Sequence, residues 1–164
     1  MSTSINIRLT RSAAETLRRE AEKAGLGLEE YVLDLVLQGL DPEERSKEYI
    51  EAAEELLEEA RGELEKGNVR QAAEKLWGAA ALAVKAYAAW REERRLSSHR
   101  ELWEYRRVLE KELGEWVYGA WMIANGMHTC FYESWCSKED VEKAFMEIKK
   151  LVAEVSKKIS QERR

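Results

Sequence analysis

Apolar residues alternate with polar ones over residues 5–10: Ile5, Ile7 and Leu9 against Asn6, Arg8 and Thr10. A period of two is that of a half-buried strand. From there the period changes to that of helices. Ser12 with Glu15 three residues on reads as a capping box, opening a helix that buries Ala13, Leu17 and Ala21 and stops at Gly25. A second helix starts at Gly27 and Leu28, buries Tyr31, Val32, Leu35 and Val36, and ends at Gly39. Asp41, Pro42 and Glu44 supply an N-cap, a proline in the first turn and an acid at the third position, a strong helix start. That helix runs to Lys66 with Tyr49, Ala53, Leu56, Leu57, Ala60 and Leu64 on one stripe, and Gly67-Asn68 turns the chain.

The next helix, 69–93, carries Ala72, Ala73, Leu76, Trp77, Ala80, Val84 and Tyr87 inward. Ser98 caps a shorter helix to Leu113, and Gly114 separates it from a helix over 115–133. Ser137 caps the last helix, whose stripe is Val141, Phe145, Ile148, Val152, Val155 and Ile159. Short connections between long amphipathic helices predict antiparallel neighbours and therefore a bundle. The fold expectation is mainly α: an antiparallel helical bundle over 41–164 preceded by a strand–helix–helix arm over 1–40. The uncharged stretch 116–132 holds Asn125, His128 and Thr129. It is too short and polar to span a membrane and reads as the central helix of the bundle.

Composition narrows the class. The chain has 164 residues, 45% apolar and 36% charged, which describes a folded globular protein. Many charges with three Asn and three Gln resemble thermophile usage. No leader is visible, and the expected compartment is the cytoplasm. The net charge of −5 excludes a surface that is basic throughout. Residues 1–24 carry five basic and three acidic side chains, residues 25–66 four and fourteen, and residues 69–114 ten and seven. A polyanion would therefore meet the N-terminal segment or the middle of the bundle. Cys130 and Cys136 are too few for a disulfide scaffold. Together with two histidines they match no metal spacing, so neither metal nor cofactor is expected.

The stretch INIRLTRSAAETLRREAEKAGLGLEEYVLDLVL resembles ribbon-helix-helix proteins. That resemblance implies a homodimer paired through its N-terminal strand, with Asn6 and Arg8 reading base edges in the major groove of duplex DNA, and Ser4 or Thr10 at the edge. It also implies a phosphate on the amides of Gly27 and Leu28, although Glu29 and Glu30 oppose an anion there.

AEELLEEARGELEKGNVRQAAEKLWGAAALAVKAYAAW followed by SHRELWEY resembles the start of a HEPN domain, with Gly67, Lys85 and His99 at its marked places. EKLWGAAALAVKA, SHRELW and MHTCFYESW are similar to the archaeal PaREP family, whose members resemble HEPN bundles. HEPN ribonucleases place an Arg four to six residues before a His. His128 fits the histidine, but Met122 and Ile123 stand where the arginine belongs. Arg94 and His99 have the bare spacing at a loop, the wrong place for the pair.

Asn125, His128 and Tyr132 share a helix face. With Trp121 beside them and Trp77 and Lys85 opposite, they form a candidate pocket for a nucleotide or a stacked RNA base. The bland reading makes the tryptophans core residues and His128 a buried, hydrogen-bonded histidine. Three functions follow: a homodimeric regulatory protein on DNA, with the bundle sensing nucleotide or RNA; a toxin-like ribonuclease using His128; and a dimeric scaffold without catalysis. The first is preferred and enzymatic activity is disfavoured.

Overall fold

The computed structural model describes residues 3–161. Seven α-helices follow one another: α1 (Arg11–Lys23), α2 (Leu28–Leu37), α3 (Pro42–Glu65), α4 (Val69–Glu92), α5 (His99–Leu113), α6 (Trp116–Glu133) and α7 (Lys138–Gln161). Most of the boundaries lie where the caps put them. Asp41 accepts the amides of Glu43 and Glu44, Ser98 accepts that of Glu101, and Ser137 and Asp140 cap one another reciprocally. Gly67, at φ 81°, carries the turn between α3 and α4, a conformation that costs glycine nothing.

Among the described residues no strand forms, so the mainly α class stands and the strand of the N-terminal arm does not. Residues 3–10 run without secondary structure, and Ile5, Ile7 and Leu9 are all exposed. Alternation supplies a strand's two faces but not the neighbouring edge that its amides and carbonyls need, and the described residues offer none. Helix α1 starts two residues earlier than the Ser12 box implies. Thr10 is its N-cap, accepting the amide of Ala13, and Ser12 lies inside the helix. Of the three residues expected to be buried on α1, Ala13 is exposed, Leu17 half-buried and Ala21 buried.

The centre of the bundle is α4, not α6. From Leu76 to Ala89 every residue of α4 is buried, and α3, α5, α6 and α7 all pack on it. The physical reason is size: the run is dominated by alanine, so four helices approach closely on all sides. Helix α6 carries no charged residue before Glu133, yet it is one-faced. Val117, Ala120, Trp121, Ala124 and Met127 are buried, while Tyr118 and Met122 face out. At its end Cys130, inside the core, is disulfide-bonded to Cys136 and closes the connection to α7.

Helix α2 shows the opposite face from the one its pattern suggests. Glu30, Asp34 and Leu37 point inward, while Val32, Leu35 and Val36 are exposed and Tyr31 is half-buried. The cause lies on α4. Lys85 is 2% exposed, and a buried ammonium needs a counterion. Asp34 Oδ1 stands 3.0 Å from Lys85 Nζ and is equally buried. The same carboxylate accepts the Tyr49 hydroxyl and, at 3.2 Å, the Arg95 guanidinium. Burial alone raises the pKa of Asp34, but the charge of Lys85 and the hydrogen bonds from Tyr49 and Arg95 outweigh it and hold the carboxyl below its ordinary value. Burial pulls Lys85 down from its ordinary value against the attraction of Asp34. One carboxylate thus joins α2, α3, α4 and the loop before α5, and the neighbouring Leu26 and Leu37 complete the seat.

This geometry predicts strong coupling. Asp34→Leu leaves Lys85 buried without its anion and should cost about 3 kcal/mol, with a similar loss for Lys85→Met. The double variant Asp34→Leu/Lys85→Met should regain most of that loss. Urea unfolding of the four proteins measures it; purely additive single losses would show that the pair does not couple.

Candidate histidine and tryptophan site

The two histidines of the chain, 29 positions apart in sequence, meet around one tryptophan. Trp77, fully buried on α4, has its ring 5.3 Å from His99, 4.9 Å from His128 and 5.2 Å from Trp121. The two imidazoles are 5.9 Å apart. His99 is the first residue of α5, so the Ser98 cap places it. His128 lies one turn from the end of α6, and Tyr132, one turn further on, stands edge-on to it at 5.2 Å.

The nitrogens are fixed by neighbours. Trp103 donates its indole N–H to His99 Nε2 at 2.8 Å, which leaves the proton of a neutral His99 on Nδ1. That Nδ1 faces Gly25, where a Cβ would lie 2.7 Å away. Gly25 also has φ 69° and accepts the Trp77 indole N–H on its carbonyl. Glycine is therefore needed there twice over, for the turn and for the close approach. His128 Nδ1 lies 3.4 Å from Glu74 Oε2, so a carboxylate orients the second imidazole.

Glu30 is the second carboxylate of the region. It fills the space left by two glycines: a Cβ on Gly27 would fall 2.2 Å, and one on Gly78 2.9 Å, from its oxygens. Burial raises its pKa, a backbone N–H opposes the rise, and Glu74 adds to it. Burial, and then the proximity of His128, lower the pKa of His99. The result is a compact group of indoles, imidazoles and carboxylates at the joint between the α1–α2 turn and the bundle. Such a group can accept hydrogen bonds and exchange protons. With two carboxylates in it, it repels a phosphate.

The expected pocket is partly assembled. Trp77, Trp121, His128 and Tyr132 come together, with Trp77 and Trp121 fully buried and Tyr132 exposed. Asn125 is half-buried one turn before Thr129, whose hydroxyl donates to the Asn125 carbonyl. Lys85 serves the Asp34 seat instead. His99, Trp103, Glu74 and Glu30 were not placed in this site by sequence; Gly25 makes room for His99, and Gly27 and Gly78 for Glu30, while Trp103 and Glu74 gave no signal. Arg94 stacks over Tyr105 at 5.6 Å and does not pair with His99.

On the N-terminal side, Asn6 and Arg8 are exposed, and Thr10 is engaged as the cap of α1. Gly27 is the N-cap of α2 and Leu28 its exposed first residue, but the Glu30 carboxylate lies against Gly27. An external phosphate would meet that charge. Among the described residues no group of three His, Cys, Asp or Glu is placed to hold a metal ion, and no helix is long and apolar enough to cross a membrane.

The histidines give a pH dependence with a definite sign. Burial, and then His128, hold the folded pKa of His99 below its unfolded value of 6.5. Its contribution is complete above pH 6.5 and is lost as the pH falls from there through the folded pKa. Glu30, raised above its ordinary 4.5, acts in the opposite sense, its contribution fading as the pH rises. Urea midpoints between pH 5 and 8 should show a loss towards pH 5 that is smaller in His99→Gln, a comparison in which the Glu30 contribution cancels. Parallel curves for the two proteins would refute the assignment.

Comparison with known proteins returns one family. The model of the archaeal PaREP1/PaREP8 family matches residues 48–152, from early in α3 to late in α7. Searches of curated proteins and of solved structures give no match. The matched span contains the whole of α4, α5 and α6, and with them both histidines, their tryptophans and Lys85. This chain belongs to the archaeal PaREP1/PaREP8 family.

Proposed function

We propose that the protein is a non-catalytic binding protein that works as a homodimer, with residues 3–37 as its self-association surface. The observation behind this reading is the orientation of α2. Because Asp34 and Glu30 face inward, Val32, Leu35, Val36 and Leu28 lie outside, and Ile5, Ile7 and Leu9 add to the exposed apolar surface of the same segment. Contiguous apolar surface on a monomer marks an interaction site. A second copy is the simplest partner, because a two-fold axis lets the same patch cover itself. Its formation needs no strand pairing.

Contact with duplex DNA is the second part of the reading. Asn6 and Arg8 are exposed, as are Arg11, Arg18, Arg19 and Lys23 of α1. Two-fold symmetry doubles that positive charge. The blocked N-terminus of α2 speaks for the α1 side as the polyanion face. A ribonuclease is supported only by the meeting of His99 and His128. Against it, their surroundings supply Glu74 and Glu30 where phosphoryl chemistry calls for a cation.

The expected behaviour is a dimer at micromolar concentration in sedimentation equilibrium, converted to monomer by Val32→Glu/Val36→Glu with the helix content unchanged. A wild-type monomer at 100-fold higher concentration would refute the dimer. In a low-salt gel shift, wild type should retain duplex DNA and Arg8→Ala should bind it several-fold more weakly. Equal retention of both proteins would remove Arg8 from the contact, and no retention at all would remove DNA as the partner.

A further inference from the structure

A cleft of about 570 Å³ opens at the far end of the bundle from Gly67, between the start of α3, the end of α4 and the end of α7. Its size lies within the range of small-molecule sites. It exists because the helices present small side chains to one another there: Ser46 on α3, Ala89 on α4, and Ser156 and Ser160 on α7.

The chemistry of the lining is one-sided. Glu51, Glu54 and Glu93 line the cleft, and among the described residues none of the three has an ion-pair partner. The two cations at the cleft are already engaged, Lys47 with Glu43 at 3.1 Å and Arg91 with Glu112 at 3.1 Å. Ser46, 1% exposed, donates its hydroxyl hydrogen to the Ala86 carbonyl at 2.8 Å. What it has left to offer is a buried oxygen that accepts. Trp90 forms an aromatic wall, and its ring is braced edge-on by Tyr87 at 5.3 Å. The carboxyl end of α4 adds its partial negative charge beside Glu93, itself held in a left-handed cap. Carboxylates, an accepting hydroxyl, an indole face and a helix C-terminus select a ligand with ammonium groups on an apolar chain.

We propose that this cleft binds a linear aliphatic polyamine, with ammonium groups at Glu51, Glu54 and Glu93 and its methylene chain along Trp90 and Ile50. The cleft is separate from the histidine site and from residues 3–37, so the reading does not depend on either.

Isothermal titration of spermidine into the full-length protein tests it. The expected result is saturable binding at one site per chain. Glu51→Gln/Glu54→Gln should weaken it by about tenfold or more, as loss of two charge contacts requires. Trp90→Ala should weaken it too. The glutamine variant should keep the wild-type helical circular dichroism, since Glu51 and Glu54 are exposed. Butylamine and magnesium, at equal concentrations, should not displace spermidine. Absence of saturable heat, unchanged affinity in the glutamine variant, or displacement by magnesium alone would each overturn the proposal, the last by showing simple charge screening.

Discussion

A lysine in the middle of an alanine-rich helix sets the arrangement of this molecule. The rest of the buried run of α4 is uncharged, so Lys85 has no neighbour within it to neutralise it. Its charge is met by Asp34, and Asp34 brings α2 onto the bundle. Tyr49 and Arg95 share the carboxylate and add α3 and the loop before α5 to the same point. The orientation of α2 follows, because placing Asp34 inward places Glu30 inward one turn earlier. Val32, Leu35 and Val36 then have nowhere to go but outward. A structural ion pair thereby decides which surface is left for partners.

Much of the bundle could be read from the residues. Helices α3 to α7 begin and end at their caps and glycines, and the stripes of α3, α4 and α7 are the buried ones, with Phe145 alone half-buried. These features are local, set by three- and four-residue spacing. What was not legible depended on distant pairing. Helix α2 is apolar on most of its surface, so its periodicity cannot choose a face, and a counterion on another helix chose it. Helix α6 looked central because it lacks charge, but lack of charge measures hydropathy and not neighbour distance. The small side chains of α4 settled that question. The alternation at Ile5, Ile7 and Leu9 was real, yet a strand also requires an edge to pair with.

The histidine site was half legible for the same reason. Trp121, His128 and Tyr132 lie on one helix, and their meeting with Trp77 could be anticipated. His99, Glu74 and Glu30 come from three other elements, and only the folded chain brings them to the same place. Lys85 belonged to the anticipated pocket as a residue of the facing helix, and its buried partner took it elsewhere. The site sits at the joint between the α1–α2 turn and the bundle, through the contacts of Gly25 with Trp77 and His99. The site and the seat of the N-terminal helices therefore meet at Gly25.

The central claim is that Asp34 seats the N-terminal helices on a bundle that stands without them. Hydrogen exchange of backbone amides, compared between wild type and Asp34→Ala, tests it most directly. The account predicts protected amides over residues 31–37 in the wild type, lost in the variant, while α3, α4 and α7 stay protected, weakened only by the global stability that the variant loses. Unchanged protection of α2 in the variant, or an α2 that already exchanges freely in the wild type, would contradict it.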